Sequence, residues 1–163
     1  MDKITDYRIN TLHPIIREEV RELVTLANTK LKGNAQLRMT QAYRTFQEQN
    51  ALYAIGRTKK GKKVTNASGG QSIHNYGLAF DFCLIIDGNK VSWDINEDYD
   101  ADGTSDWEEV IKVFTEKGYE SGGIWTFKDW PHIEKKGYSW RTLLEKYNSG
   151  KTFVDNGIKY VIL

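Results

Sequence analysis

One run of this 163-residue chain constrains its fold more than any other. Leu78 to Ile86 reads Leu-Ala-Phe-Asp-Phe-Cys-Leu-Ile-Ile, apolar at every position but one. Bounded by Gly77 before it and Asp87-Gly88 after it, such a run is a strand with a buried side. The exception, Asp81, has no Lys or Arg near it in sequence. A carboxylate taken out of water needs a partner, and a metal ion is one of the few adequate ones. Seven residues earlier an imidazole, His74, stands in the turn Ser72-Ile73-His74-Asn75-Tyr76-Gly77. A second carboxylate and imidazole arrive together in Asp129-Trp130-Pro131-His132, where Pro131 fixes φ and stiffens the segment.

Around that strand the chain reads as α+β in one domain, with an antiparallel sheet flanked by helices. Pro14 to about Lys32 is a helix, with Ile16, Val20, Leu23, Val24, Ala27 and Leu31 on one face. Leu37 to Tyr43 is a strand, and Thr45 caps a short helix running to about Ile55. Arg57 to Gln71 is a loop carrying Lys59, Lys60, Lys62 and Lys63, either a solvated segment or a basic rim for an anionic polymer. Asp87-Gly88-Asn89 turns a hairpin into Lys90–Trp93. Asp106 to Lys117 is a helix with Trp107, Val110, Ile111 and Phe114 on one face, and Ser139 caps a last one ending near Tyr147. Asn156-Gly157 turns a closing hairpin at about residues 152–163, so the domain spans 1–163 with its core at about 8–147.

A net charge of +1 on a 28% charged chain points to no nucleic-acid partner. One cysteine, Cys83, excludes an internal disulfide, and it reads as a small buried hydrophobe. The N-terminus lacks the apolar stretch of a signal peptide, and no span is long enough to cross a bilayer. The expectation is a monomer made soluble in the cytoplasm and without a signal peptide.

His74, Asp81 and His132 make a three-ligand set of the kind that leaves a catalytic zinc one position for water. Asp129 is the nearest general base for that water. Two His and two Asp also occur in many soluble chains, and neither spacing is H-E-x-x-H, so a structural role stays open on chemistry alone. His13, before Pro14 at a helix start, reads as structural.

Ser72-x-His74-x-x-Gly77-x-Ala79-x-Asp81 followed by Asp129-x-Pro131-His132 resembles the VanY/VanX-like family of D-Ala-D-Ala zinc peptidases, above all its L-alanyl-D-glutamate endopeptidases of bacterial walls and phage endolysins. Tyr43-Arg44-Thr45, Glu48-Gln49, Leu52-Tyr53, Gly56-Arg57-Thr58, Asp106-Trp107-x-Glu109-Val110, Gly118-Tyr119 and Gly122-Gly123 extend the resemblance over roughly residues 8–145. It implies the hedgehog/D,D-peptidase-like fold, zinc on His74, Asp81 and His132, Asp129 as catalytic base, Arg44 at the substrate carbonyl or carboxylate, and Ser72 as a substrate-side hydrogen bonder. The implied reaction is hydrolysis of a peptidoglycan stem peptide, at the L-Ala–D-Glu bond first, by an enzyme that reaches the wall after release or lysis. The rivals are a D,D-carboxypeptidase releasing terminal D-Ala and a non-catalytic, calcium-dependent wall-binding module. Ser121, Ile124 and Ile133 depart from the family's usual residues, which touches the pocket walls and hence substrate preference.

The acidic stretch before the helix at Asp106 has two readings, a calcium site or a solvated loop that caps the helix. Asp98 to Glu109 matches the twelve-position calcium loop, with Asp98, Asp100, Asp102, Asp106 and Glu109 at positions 1, 3, 5, 9 and 12, Thr104 at 7 and Gly103 at 6. Five carboxylates so close repel one another unless a cation sits among them.

Overall fold

The computed structural model describes residues 1–163. The chain opens with α1 (Lys3–Asn10), capped by the Asp2 carboxylate on the amides of Ile4 and Thr5, and turns into α2 (Pro14–Lys30). Pro14 begins α2, and His13 caps it: Nδ1 accepts from the Ile15 amide while Nε2 bonds the Val161 carbonyl oxygen at 2.9 Å. His13 is structural, as expected. The amphipathic face of α2 buries Ile16, Val20, Leu23, Val24 and Ala27.

β1 (Ala35–Gln41) follows, starting and ending two residues before the expected strand. The capping box of Thr45 and Glu48 then starts α3 (Phe46–Ala54). After the 57–71 loop, a 3₁₀ turn (Ile73–Tyr76) leads into β2 (Ala79–Ile86) and β3 (Lys90–Ser92). The acidic loop feeds α4 (Asp106–Thr115), then β4 (Tyr119–Ser121), a 3₁₀ turn (Gly122–Ile124) and β5 (His132–Lys135). α5 (Trp140–Asn148) and the hairpin of β6 (Thr152–Asp155) and β7 (Ile158–Val161) close the chain.

β1, β2, β5 and β4 form one antiparallel sheet in that order, with β3 also on β2. β1 pairs along β2 from Asp81 to Ile86, while β5 and β3 pair with opposite ends of β2. Successive side chains of β2 alternate between the sheet's two faces. Phe80 and Phe82 pack on Phe114 and Trp107 of α4, with ring centroids 5.0 and 4.3 Å apart. Such aromatic pairs add about 0.5–1.5 kcal/mol each beyond the area they bury. Asp81 therefore lies on the face away from that core. Cys83 shares its face and is buried, 1% exposed.

Candidate metal centre

Register brings the site together. Asp81 lies directly opposite His132 in the β2–β5 ladder, so both side chains leave one face of the sheet as neighbours. His74 comes from the turn before β2. Its backbone carbonyl accepts from the Arg44 amide at 3.0 Å, and its Nδ1 bonds the Ala42 carbonyl oxygen at 2.8 Å. The turn closes on Gly77 at φ +69°, where an added Cβ would stand 2.6 Å from the His13 nitrogen. No larger residue fits there without moving the start of α2.

Three atoms then face one another: His74 Nε2, His132 Nδ1 and Asp81 Oδ1, with all three separations at 3.1–3.2 Å. The far nitrogen of each imidazole faces an acceptor, Ala42 O for His74 and Glu134 Oε2, at 2.9 Å, for His132. With the ring protons on those far nitrogens, three lone pairs converge on one point, an arrangement that requires a cation. Two imidazole nitrogens and one carboxylate oxygen are a donor set zinc accepts, and ligands about 2.0–2.1 Å from a tetrahedral zinc stand about 3.3 Å apart. The residues fit the ion.

Electrostatics point the same way. Without a metal ion, protons on the two imidazoles take its place: burial alone would raise the Asp81 carboxyl, but the charge of His74 and hydrogen bonds from both imidazoles hold it far below the ordinary carboxylate range. Burial alone would lower His132, but its bonds to Asp81 and Glu134, with their charges, push it up to about 9. Negative charge thus dominates the surroundings of His132. Arg44 is the cation missing from the local sequence: its Nη2 lies 3.6 Å from Asp81 Oδ2.

A cleft of about 680 Å³ opens over this triad, with Arg44, Ser72 and Asp129 in its lining. Such a volume suits a small peptide. Asp129 is carried by the loop between the Gly122–Ile124 turn and β5; its amide donates to Gly122 O at 3.0 Å, and its carbonyl accepts from the His132 amide at 3.1 Å. A Cβ on Gly122 would come within 2.4 Å of that Asp129 carbonyl oxygen, which explains the glycine. Burial and the charge of Asp81 raise the Asp129 carboxyl against the pull of His132, His74 and Arg44. Arg44 Nη1 donates to Gln49 Oε1 at 2.9 Å, while its buried Nε has no partner in the protein. Asn75 Oδ1 accepts from the amides of Gly70 and Ser72, fixing the strand of backbone that presents Ser72 to the cleft.

Gln49, Glu134 and Trp125 also shape the site but were not singled out from sequence as site residues. Gln49 is fully buried, held by Ala67 O on one side and Arg44 on the other. Glu134 carried a usable signal: two positions after His132 on a strand puts it on the same face.

The acidic loop gathers two triads that share Asp100: Asp98, Asp100 and Asp106, and Asp100, Asp102 and Glu109. Asp98 accepts from the amides of Asp102 and Gly103, which curls the loop inward. Thr104 donates its amide to Asp102 Oδ1. Asp106 is 0% exposed, and its Oδ2 has no hydrogen-bond partner.

A family profile described as D-alanyl-D-alanine carboxypeptidase matches residues 65–135, the stretch that holds His74, Asp81, Asp129 and His132. The peptidoglycan L-alanyl-D-glutamate endopeptidase CwlK of Bacillus subtilis (strain 168) is 44% identical over 124 residues, 76% of this chain and 72% of that protein. The chain belongs to peptidase family M15. Its fold agrees: the crystal structure of the Serratia marcescens L-Ala D-Glu endopeptidase ChiX superposes with a TM-score of 0.56 at 21% identity, over 83% of this chain and 89% of that one. The M15 fold places the Asp81–His132 pair at the floor of the cleft, and α3 and the 57–71 loop along its wall, where Leu52, Val64 and Thr65 line it. No helix of this M15 chain is long and apolar enough to cross a membrane.

Proposed function

We propose that the protein hydrolyses peptidoglycan stem peptides at the L-Ala–D-Glu bond, with zinc held by His74, Asp81 and His132. The observation that carries this is the triangle of three convergent lone pairs beneath a peptide-sized cleft. The similarity to CwlK supports the choice of bond. When bound, zinc would act as Lewis acid and lower the pKa of a coordinated water toward neutrality.

The protein's own groups do the rest. Asp129 accepts the proton of the attacking water and returns it to the leaving amine; standing on the cleft wall beside the ligand set, it is placed for both transfers. Arg44 presents a guanidinium from the cleft wall to the developing oxyanion or to a stem-peptide carboxylate. Ser72 lines the same cleft as a substrate-side hydrogen bonder. Arg44→Lys keeps the charge but loses the planar fork. It is expected to lower kcat by roughly 10²-fold with zinc content unchanged, measured by release of new amino groups.

The deciding experiment is metal analysis together with digestion of purified muropeptides by the wild type and His132→Ala. One zinc per chain and new D-Glu amino termini, both lost in the variant, are the expected results. Release of free D-Ala instead would favour the D,D-carboxypeptidase that the family profile's description names. Wall binding without products would favour a non-catalytic module.

We also propose that the 98–109 loop binds calcium through Asp98, Asp100, Asp102, Asp106, Glu109 and the Thr104 carbonyl. The buried, unpartnered Oδ2 of Asp106 supports it, because an oxygen in that state forfeits about 1–3 kcal/mol unless something coordinates it.

A further inference from the structure

We infer that Glu134 is the positioning residue that selects the metal-binding tautomer of His132. This rests on the zinc reading and goes beyond it by assigning a role to a residue outside the three-ligand set.

The two histidines of the site are prepared by different means. His74 gives its Nδ1 proton to a backbone carbonyl, that of Ala42, so the fold itself leaves Nε2 free. His132 is turned the other way. It presents Nδ1 to His74 and Asp81, at 3.1 and 3.2 Å, and its Nε2 faces Glu134 Oε2 at 2.9 Å. A neutral imidazole carries one proton, and whichever nitrogen donates leaves the other as ligand. A carboxylate at Nε2 therefore holds the proton there and leaves the lone pair on Nδ1. It also makes the ring a stronger donor to a cation. Strand geometry makes the contact possible, since His132 and Glu134 are two apart on β5 and share a face.

The sheet accommodates an unfavourable neighbour to keep this group. Glu134 stands directly opposite Glu120 of β4, and like charges in that relation destabilise a strand pair. Each carboxylate has its own donor: Glu120 Oε1 takes the Trp125 indole N–H at 2.6 Å, and Glu134 takes His132. The Trp125 ring lies 5.0 Å from the His132 ring, tilted by 44°, and so limits its rotation. Glu134 and Trp125 together leave His132 one orientation and one tautomer.

The test is the zinc dissociation constant of the wild type, Glu134→Ala and Glu134→Gln, by competition with a chromophoric chelator, alongside the melting temperature of each metal-free protein. Glu134→Ala is expected to bind zinc about 10–100-fold more weakly. Glu134→Gln should recover most of that loss, because its amide oxygen accepts the same Nε2–H. In zinc-loaded wild type and Glu134→Gln, the His132 Nε2 proton should give a slowly exchanging NMR signal, absent in Glu134→Ala. A merely structural role would lower melting in the metal-free state and leave zinc affinity and that signal in place, and this result would overturn the inference. Equal zinc affinity in all three proteins would do the same while leaving the zinc site standing. A wild type that binds no zinc would instead remove the metal reading and the role of Glu134 with it.

Discussion

Asp129→Asn should lower peptide hydrolysis by roughly 10²–10⁴-fold while zinc stays bound at one per chain. Asparagine matches the shape of the carboxylate but takes up no proton at neutral pH. The hydrogen bonds that hold position 129 run through backbone atoms, to Gly122 and His132, and survive the change. The contrast with His132→Ala is the point of the experiment, since that variant should lose metal and turnover together. The wild-type pH profile gives a second check. Burial, and then the charge of Asp81, raise the Asp129 carboxyl above the ordinary aspartate value of 3.8. The base works only when deprotonated, so kcat should fall on the acid side as Asp129 takes up its proton. Asp129→Asn should flatten that limb in whatever activity remains. A variant that keeps more than about a tenth of the wild-type rate would take Asp129 out of the proton transfer.

The ligand triad was legible because two simple facts specify it. Asp81 is the lone charge in an apolar strand, and a strand residue needs only one cross-strand neighbour to complete a pair, which His132 supplies. The orientation of those ligands was not legible. It depends on Ala42 O and Glu134 Oε2, and the first of these is a backbone atom with no side-chain signature. The counter-ion of Asp81 was missed for a related reason: Arg44 is remote in sequence and reaches Asp81 only because β1 pairs with β2 and the Arg44 amide is tied to His74 O. Among the elements, α1 escaped notice since only Thr5 and Ile9 of its eight residues are buried, too few to print a helical stripe. β4, three residues long, gives no period at all. By contrast α2 and α4 carry full apolar faces, and their extents fall within about two residues of the expected ones.

Calcium should raise the melting temperature by roughly 5–10 °C at a free concentration one hundred times its dissociation constant, where ligand binding adds about 2.7 kcal/mol. Without a cation, the acidic loop holds its charges at a penalty. Burial, and then the charges of Asp100, Asp98 and Asp102, push Asp106 up to about 6 from 3.8, even though the Tyr99 amide pulls the other way. A group raised in the folded state adds stability below its unfolded value and loses it as pH rises through the folded one. In the presence of a chelator, stability should therefore decline between about pH 4 and 6. Calcium takes the place of that proton, so its gain in melting temperature should be larger at pH 7 than at pH 5. Asp106→Asn should shrink the difference, because its side chain neither titrates nor repels, and leave the part that burial and the charges of Asp102 and Asp100 produce at Glu109. Equal melting curves in calcium and in chelator at pH 7 would mean the loop binds no ion. The same titration followed by activity tests a link to the catalytic site. Glu109 lies on α4, and the chain runs from there through β4 and the Gly122–Gly123 turn to Asp129. If bound calcium steadies that path, turnover should rise with calcium in the wild type and lose its response in Asp100→Ala. A response in that variant equal to the wild type's would mean that calcium does not act on turnover through this loop.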